Sequence, residues 1–112
     1  MIPGQFRKQL VGVDPLDVRF LEINNKPWPD KRRITIQIRL LPFNTAPSLE
    51  FAILEKSGQI ISEVMIVETQ DHEIEFTMHI PEKTYENPLQ IKAAISYEAE
   101  GQVDNRIIPF DL

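Results

Sequence analysis

The residues of this chain that could do chemistry are few and scattered. Two histidines stand at 72 and 79, the first inside the run Asp71-His72-Glu73-Ile74-Glu75. The serines are Ser48, Ser57, Ser62 and Ser96, none in the G-x-S-x-G setting that lifts a nucleophile onto a sharp turn. Acyl transfer needs a serine in hydrogen-bond reach of a histidine that a carboxylate orients, and no motif here announces that arrangement. A zinc site would draw on the same run. Yet Glu73 and Glu75 share a strand face about 7 Å apart, with His79 about 20 Å along the strand from Glu73. Zinc wants its ligand atoms within about 2 Å of one point. Neither an enzyme nor a metal site is expected, and no cofactor is.

Phosphate cradles need closely spaced glycines, and Gly4, Gly12, Gly58 and Gly101 are far apart. The remaining candidate is Trp28, the only tryptophan, which lies between Pro27 and Pro29 and is followed by Asp30, Lys31, Arg32 and Arg33. Prolines on both sides leave this loop few conformations. A stiff aromatic beside Lys31, Arg32 and Arg33 suits a sugar-like or anionic ligand, by stacking with cations at its side. The bland expectation is that Trp28 folds over the open end of the core as a lid, since tryptophans bury most of their area. The second is favoured, and the first is kept as the alternative.

The elements that must position these residues have a period of two. Ile34, Ile36, Ile38 and Leu40 alternate with Thr35, Gln37 and Arg39. Ile74, Phe76, Met78 and Ile80 alternate with Glu73, Glu75, Thr77 and His79, and Leu89, Ile91, Ala93, Ile95 and Tyr97 form a third such set. Alternation rich in β-branched residues marks strands buried on one face. Further strands are expected over 16–23, 48–55, 60–68 and 103–112, with hairpins around Gly58 and Gly101. Pro109 falls inside the last strand and marks an edge or a bulge, because it cannot donate to a ladder. If 73–80 pairs antiparallel with 33–40, Arg39 falls near Glu73 and Arg33 near His79, and cross-strand pairs account for the acids.

Short strands of this number and spacing make an all-β, about seven-stranded antiparallel sandwich. Residues 14–112 resemble an immunoglobulin-like or fibronectin type III-like domain, with residues 1–13 as an N-terminal arm. The resemblance rests on strand count and spacing. The cysteine pair of a true immunoglobulin domain is absent, and Phe51 stands where its third-strand tryptophan would be. Leu89 occupies the neighbourhood of the expected sixth-strand tyrosine, with Tyr85 in the preceding loop. Such a fold serves many functions, so none is inherited with it.

The net charge of −5 divides unevenly. Residues 1–40 carry eight Lys or Arg against four acids, and residues 41–112 carry four against thirteen. An acidic whole argues against a general nucleic-acid binder, which needs a positive surface to release counterions. No apolar run approaches the roughly 18 residues of a membrane span or offers a signal-peptide core. A chain without cysteine leans towards a reducing compartment, and the expected location is the cytoplasm.

One departure from simple alternation stands out. The outward phase of 48–55 contains Ala52 and Leu54, that of 60–68 contains Ile61, Met65 and Val67, and that of 89–97 contains Ala94 and Ser96. Ile60, Val64 and Ile66 are expected on the opposite, inward phase of their strand. An apolar outer sheet face usually marks a contact surface. The expected function is therefore a small non-enzymatic interaction module. It self-associates as a homodimer or docks another protein through Ala52, Leu54, Met65, Val67 and Ala94. Coverage of that face by Ile2, Phe6, Leu10 and Val11 of the arm is the alternative within one chain.

Overall fold

The computed structural model describes residues 12–112. Seven strands form: β1 Phe20–Pro27, β2 Arg33–Leu40, β3 Ser48–Leu54, β4 Ile60–Ile66, β5 Glu73–His79, β6 Leu89–Tyr97 and β7 Gly101–Phe110. They make two antiparallel sheets, one in the order β1-β2-β5 and one in the order β4-β3-β6-β7. The chain is thus an all-β sandwich of the expected class. Strand β4 joins the sheet of β3, β6 and β7. In constant-type immunoglobulin domains the fourth strand completes the other sheet.

The inward phases meet in one core. Ile34, Ile36 and Leu40 of the smaller sheet face Leu49, Phe51 and Ile53 of the larger, all essentially without solvent contact. Phe51 sits at the centre, with ring centroids 4.7 Å from Phe76 and 6.2 Å from Phe20. It fills the room that a tryptophan takes in immunoglobulin domains. The tyrosine contact of those domains is also present in shifted form. The Tyr85 hydroxyl, in the loop before β6, donates to the Pro81 carbonyl at 2.7 Å.

The first strand starts later than its apolar residues suggest. Pro15–Asp17 form a 3-10 turn, opened by Pro15, whose fixed φ suits a helical first position. The strand then runs on through Asn24, Asn25 and Lys26, because each pairs with a residue of β2. Both glycine turns form as expected. Gly58 and Gly101 have φ of 93° and 75°, a region that residues with a Cβ rarely adopt. Gly12 answers a different need: a Cβ there would overlap the Phe43 backbone, which Val13 meets in a short parallel bridge. The arm residues Ile2, Phe6, Leu10 and Val11, expected above as a cover, lie outside the described residues.

A bulge in β7 near Ser96 brings Asp104 opposite Ile95 and Arg106 opposite Ala93, on the inner side of an edge strand. There the two charges clasp the other sheet. Asp104 Oδ2 accepts the Phe20 N–H at 2.9 Å, and Arg106 Nη2 donates to the Phe20 carbonyl at 3.1 Å. The two side chains also pair with each other at 3.2 Å. Burial pushes the Asp104 carboxyl up, but the Phe20 N–H, Arg106 and the Asn105 N–H outweigh it and hold it below the usual aspartate range.

Candidate functional site

The Trp28 loop is built as a rigid hairpin. The Trp28 N–H donates to the Arg33 carbonyl at 2.8 Å, and the Lys31 N–H donates to the Trp28 carbonyl at 3.0 Å. Lys31 takes a left-handed φ of 60° to close the turn. Asp30 Oδ1 accepts the Arg32 N–H at 2.9 Å, a side-chain turn typical of aspartate.

Trp28 does not lid the core. Its indole lies on the outer face of the three-stranded sheet, where Nε1 donates to Thr35 Oγ1 at 2.8 Å. The Arg33 guanidinium stacks over the ring, 4.0 Å from its centroid. The expected lid does not form because Thr35 and Arg33 share the outward phase of β2, and a hairpin bend short enough to bring Trp28 back reaches that phase first. Arg33 also pairs with Asp30 at 2.7 Å, and Arg32 pairs with Glu82. The Arg32 N–H and then Arg33 hold the Asp30 carboxyl below its usual range. Trp28 and Arg33 therefore come together, Arg32 points to Glu82, and Lys31 forms no ion pair among the described residues. A depression of about 320 Å³ lies beside the ring, lined by Lys26, Pro27, Trp28, Pro29 and Thr35.

The rest of that outer face is polar and bound to itself. The β2–β5 register is the expected one, with Arg33 opposite His79 and Arg39 opposite Glu73. Arg39 nevertheless turns to its other neighbour, Glu22 of β1, at 3.2 Å. Gln37 donates to Glu75 at 2.6 Å. Asn24, and after it Arg39, lowers the Glu22 carboxyl.

The outer face of the four-stranded sheet is different in kind. The register places Ala52 of β3 between Glu63 of β4 and Lys92 of β6, and Ala94 beside Glu50. Ala52, Leu54, Met65 and Ala94 thus share one face, as expected. Ala94 forms a covered floor at 5% exposure, while Met65 stands up at 60%. Val67 lies one residue beyond β4 and is also exposed. Two apolar residues of this face escaped the sequence reading. Ile60, expected inward, is 49% exposed. The cause is a bulge at the start of β4, where Ile53 pairs with Ser62 but Leu54 with Ile60. The extra residue, Ile61, turns to the core instead. Ile107 of β7 faces outward opposite Lys92. The doublets Ile60-Ile61 and Ile107-Ile108 were the available signal: one of two adjacent isoleucines in a strand has to face out.

Of these residues, Ile60 and Met65 line a shallow trough of about 490 Å³ floored by Ala52 and Ala94. Glu50, Glu63 and Lys92 stand in it, and none makes an ion pair or side-chain hydrogen bond among the described residues. Small residues at the floor, large apolar ones at the rim and unpaired charges suit a protein surface.

Among the described residues, no three of His, Cys, Asp and Glu converge as a metal site would require. The His72 ring packs edge-on to Phe43, with centroids 6.4 Å apart. Ser48 and Ser57 accept backbone N–H groups in turns. No described helix is long and apolar enough to cross a membrane.

No family model matches the chain, and no curated protein matches it in sequence. Solved structures do match in fold. One is a β-glucuronidase from glycoside hydrolase family 2, at a TM-score of 0.56 and 16% identity over 79% of this chain. Another is the β-glucuronidase from Ruminococcus gnavus in complex with uronic isofagomine, at a TM-score of 0.52 and 10% identity over 83%. This chain spans 10% and 15% of those two chains. Identities this low speak of fold alone, and the likeness fits a β-sandwich with a fold-level resemblance to immunoglobulin-like domains.

Proposed function

We propose that this chain is a non-catalytic interaction module that meets other protein through the outer face of its four-stranded sheet. One observation carries the reading: the trough floored by Ala52 and Ala94 and rimmed by Ile60 and Met65, with Glu50, Glu63 and Lys92 in it unpaired among the described residues. Single exposed apolar residues are ordinary on a protein surface, but a contiguous set on one sheet face is a mark of contact. The fold likeness to small parts of two large chains fits a sandwich that works by packing on neighbouring protein. A reducing, cytoplasmic setting is part of the same proposal, supported by a sequence without cysteine.

The test is the mass in solution by light scattering across a concentration series, for wild type, Leu54→Lys and Ala52→Lys. The wild type should approach twice 13.0 kDa or precipitate as concentration rises, and both variants should shift towards a soluble monomer. Variants that match wild type in oligomeric state and in solubility would overturn the reading.

A second reading keeps the Trp28 loop as a site for a sugar-like or anionic ligand, favoured by the depression beside the ring and by Lys31. Trp28 is the sole tryptophan, so its fluorescence reports on that loop directly. Titration with glucuronate or inorganic phosphate should shift the emission, and a flat titration to millimolar concentrations would remove the reading.

A further inference from the structure

The sandwich has four sheet edges: β1 and β5 on one sheet, β4 and β7 on the other. An edge strand offers unpaired N–H and C=O groups to any strand that can reach them, and proteins guard such edges with charge, proline or bulges. Three of the four are guarded along their length. Strand β1 carries Glu22, Lys26 and Pro27, and a bulge near Leu21. Strand β5 carries Glu73, Glu75 and His79. Strand β7 carries Asp104, Arg106 and Pro109, and the first two are engaged in holding Phe20.

Strand β4 is the exception. Its sequence, Ile60-Ile61-Ser62-Glu63-Val64-Met65-Ile66, has one charge, no proline and no glycine. Its bulge lies at the first turn of the strand, leaving Ser62–Ile66 in regular register with β3. Among the described residues, no backbone hydrogen bond reaches this stretch from anywhere but β3. Short apolar strands of low charge are the kind that pair with their own copies. The exposed side chains of the interaction face also concentrate here, at Ile60, Met65 and Val67.

We infer that two copies of this chain pair edge to edge, β4 antiparallel to β4 about a two-fold axis, so that their four-stranded sheets become one continuous sheet. This rests on the reading of the four-stranded sheet as the side that meets other protein, and it moves the contact from the middle of that sheet's face to its β4 edge. Identical strands in antiparallel register place residues symmetrically about a centre, and opposed residues must point to the same face. Centring on Glu63 sets that carboxylate against itself. Centring on Met65 draws Glu68 into the ladder, yet Glu68 has a left-handed φ of 46° and has already left the strand. Centring on Val64 avoids both. It sets Glu63 opposite the partner's Met65 and Ser62 opposite the partner's Ile66. A parallel pairing has no such symmetry and would set like ends together.

The register makes a sign-specific test. In Met65→Lys the new cation lies opposite the partner's Glu63, and in Met65→Glu two carboxylates meet. The lysine variant should dimerise about tenfold more tightly than the glutamate variant at low salt, since each dimer holds two such cross-strand pairs. Equal weakening of both would show a face contact without strand pairing and would overturn the inference. Cysteine scanning gives an independent readout, because the chain has no cysteine of its own. Opposed strand residues lie about 4.5–5.5 Å apart at Cα, within disulfide range. Mild oxidation of a mixture of Glu63→Cys and Met65→Cys chains should give a cross-linked heterodimer in excess over either chain alone. Preferential cross-linking of Ala52→Cys with itself would overturn the edge pairing while leaving the interaction face standing. A wild-type protein that stays monomeric at every concentration would also overturn it.

Discussion

On the three-stranded sheet, the regular outward positions are polar, Glu22, Asn24, Lys26, Arg33, Thr35, Gln37, Arg39, Glu73, Glu75, Thr77 and His79, and Leu21, at the β1 bulge, is the exposed apolar residue of these strands. On the four-stranded sheet the outward set includes Ala52, Leu54, Ile60, Met65, Ala94 and Ile107. The first face bonds to itself, through Glu22–Arg39, Gln37–Glu75 and the Arg33–Trp28 stack. The second leaves Glu50, Glu63 and Lys92 without a partner among the described residues. The two sheets bury equivalent residues inward, so packing of the core does not account for the difference. Under the proposed function, the difference reflects the neighbour each outer face meets, water in one case and protein in the other.

The comparison holds only while both faces are carried by one core, and Phe51→Ala is the strongest way to break it. Phe51 bridges the sheets through Phe20 and Phe76, and truncation should cost about 3–5 kcal/mol by denaturant unfolding. Both faces should be lost together. A smaller break lies at the β1–β7 clasp. Asp104→Asn removes the charge that Arg106 and the Phe20 N–H share, and should cost about 1–2 kcal/mol at neutral pH. The Asp104 carboxyl is held below its unfolded value, so its contribution is complete above the ordinary aspartate pKa and is lost as pH falls through the lowered folded value. Thermal stability of wild type should therefore decline on acidification, and the Asn variant should show a weaker decline over the same range.

The fold was legible because six of the strands keep strict alternation or end at a glycine or proline turn. The β2–β5 register could be read from the two apolar sets, whose alignment brings Arg39 opposite Glu73, although Arg39 pairs with Glu22 instead. What could not be read was any event that shifts phase by one residue. The bulge at Ile61 exchanged the roles of Ile60 and Ile61, because a sequence carries no sign of which of two isoleucines the ladder will skip. The face was found through Ala52, Leu54, Met65 and Ala94, whose strands are regular at those points, and was incomplete where they are not. Trp28 was misread for another reason. Its partners are set by how tightly the hairpin bends, and that depends on Lys31 taking a left-handed conformation that lysine seldom adopts.

That geometry sets the size of the next effect. Trp28 is 36% exposed and is held by one hydrogen bond and one cation stack. A stack of this kind contributes about 0.5–1 kcal/mol at an exposed site, and a hydrogen bond about as much. Trp28→Ala should cost about 1–2 kcal/mol, well short of Phe51→Ala. A loss equal to that of Phe51 would place the indole in the core and erase the distinction drawn between the loop and the sandwich interior.

The smallest effects separate the two faces most cleanly. Arg39 and Glu22 are both about half exposed, and an ion pair of that kind contributes little, less still in salt because mobile ions screen it. Arg39→Ala should therefore lower stability slightly at low ionic strength, lose that effect at high ionic strength, and leave association untouched. Lys92 stands in the trough without a partner in its own chain, so Lys92→Ala should leave monomer stability within about 0.5 kcal/mol of wild type. Its effect should appear in association, where removing a charge from an apolar contact changes the cost of desolvating it. Equal behaviour of the two variants in both measurements would mean that the faces differ in composition but not in use.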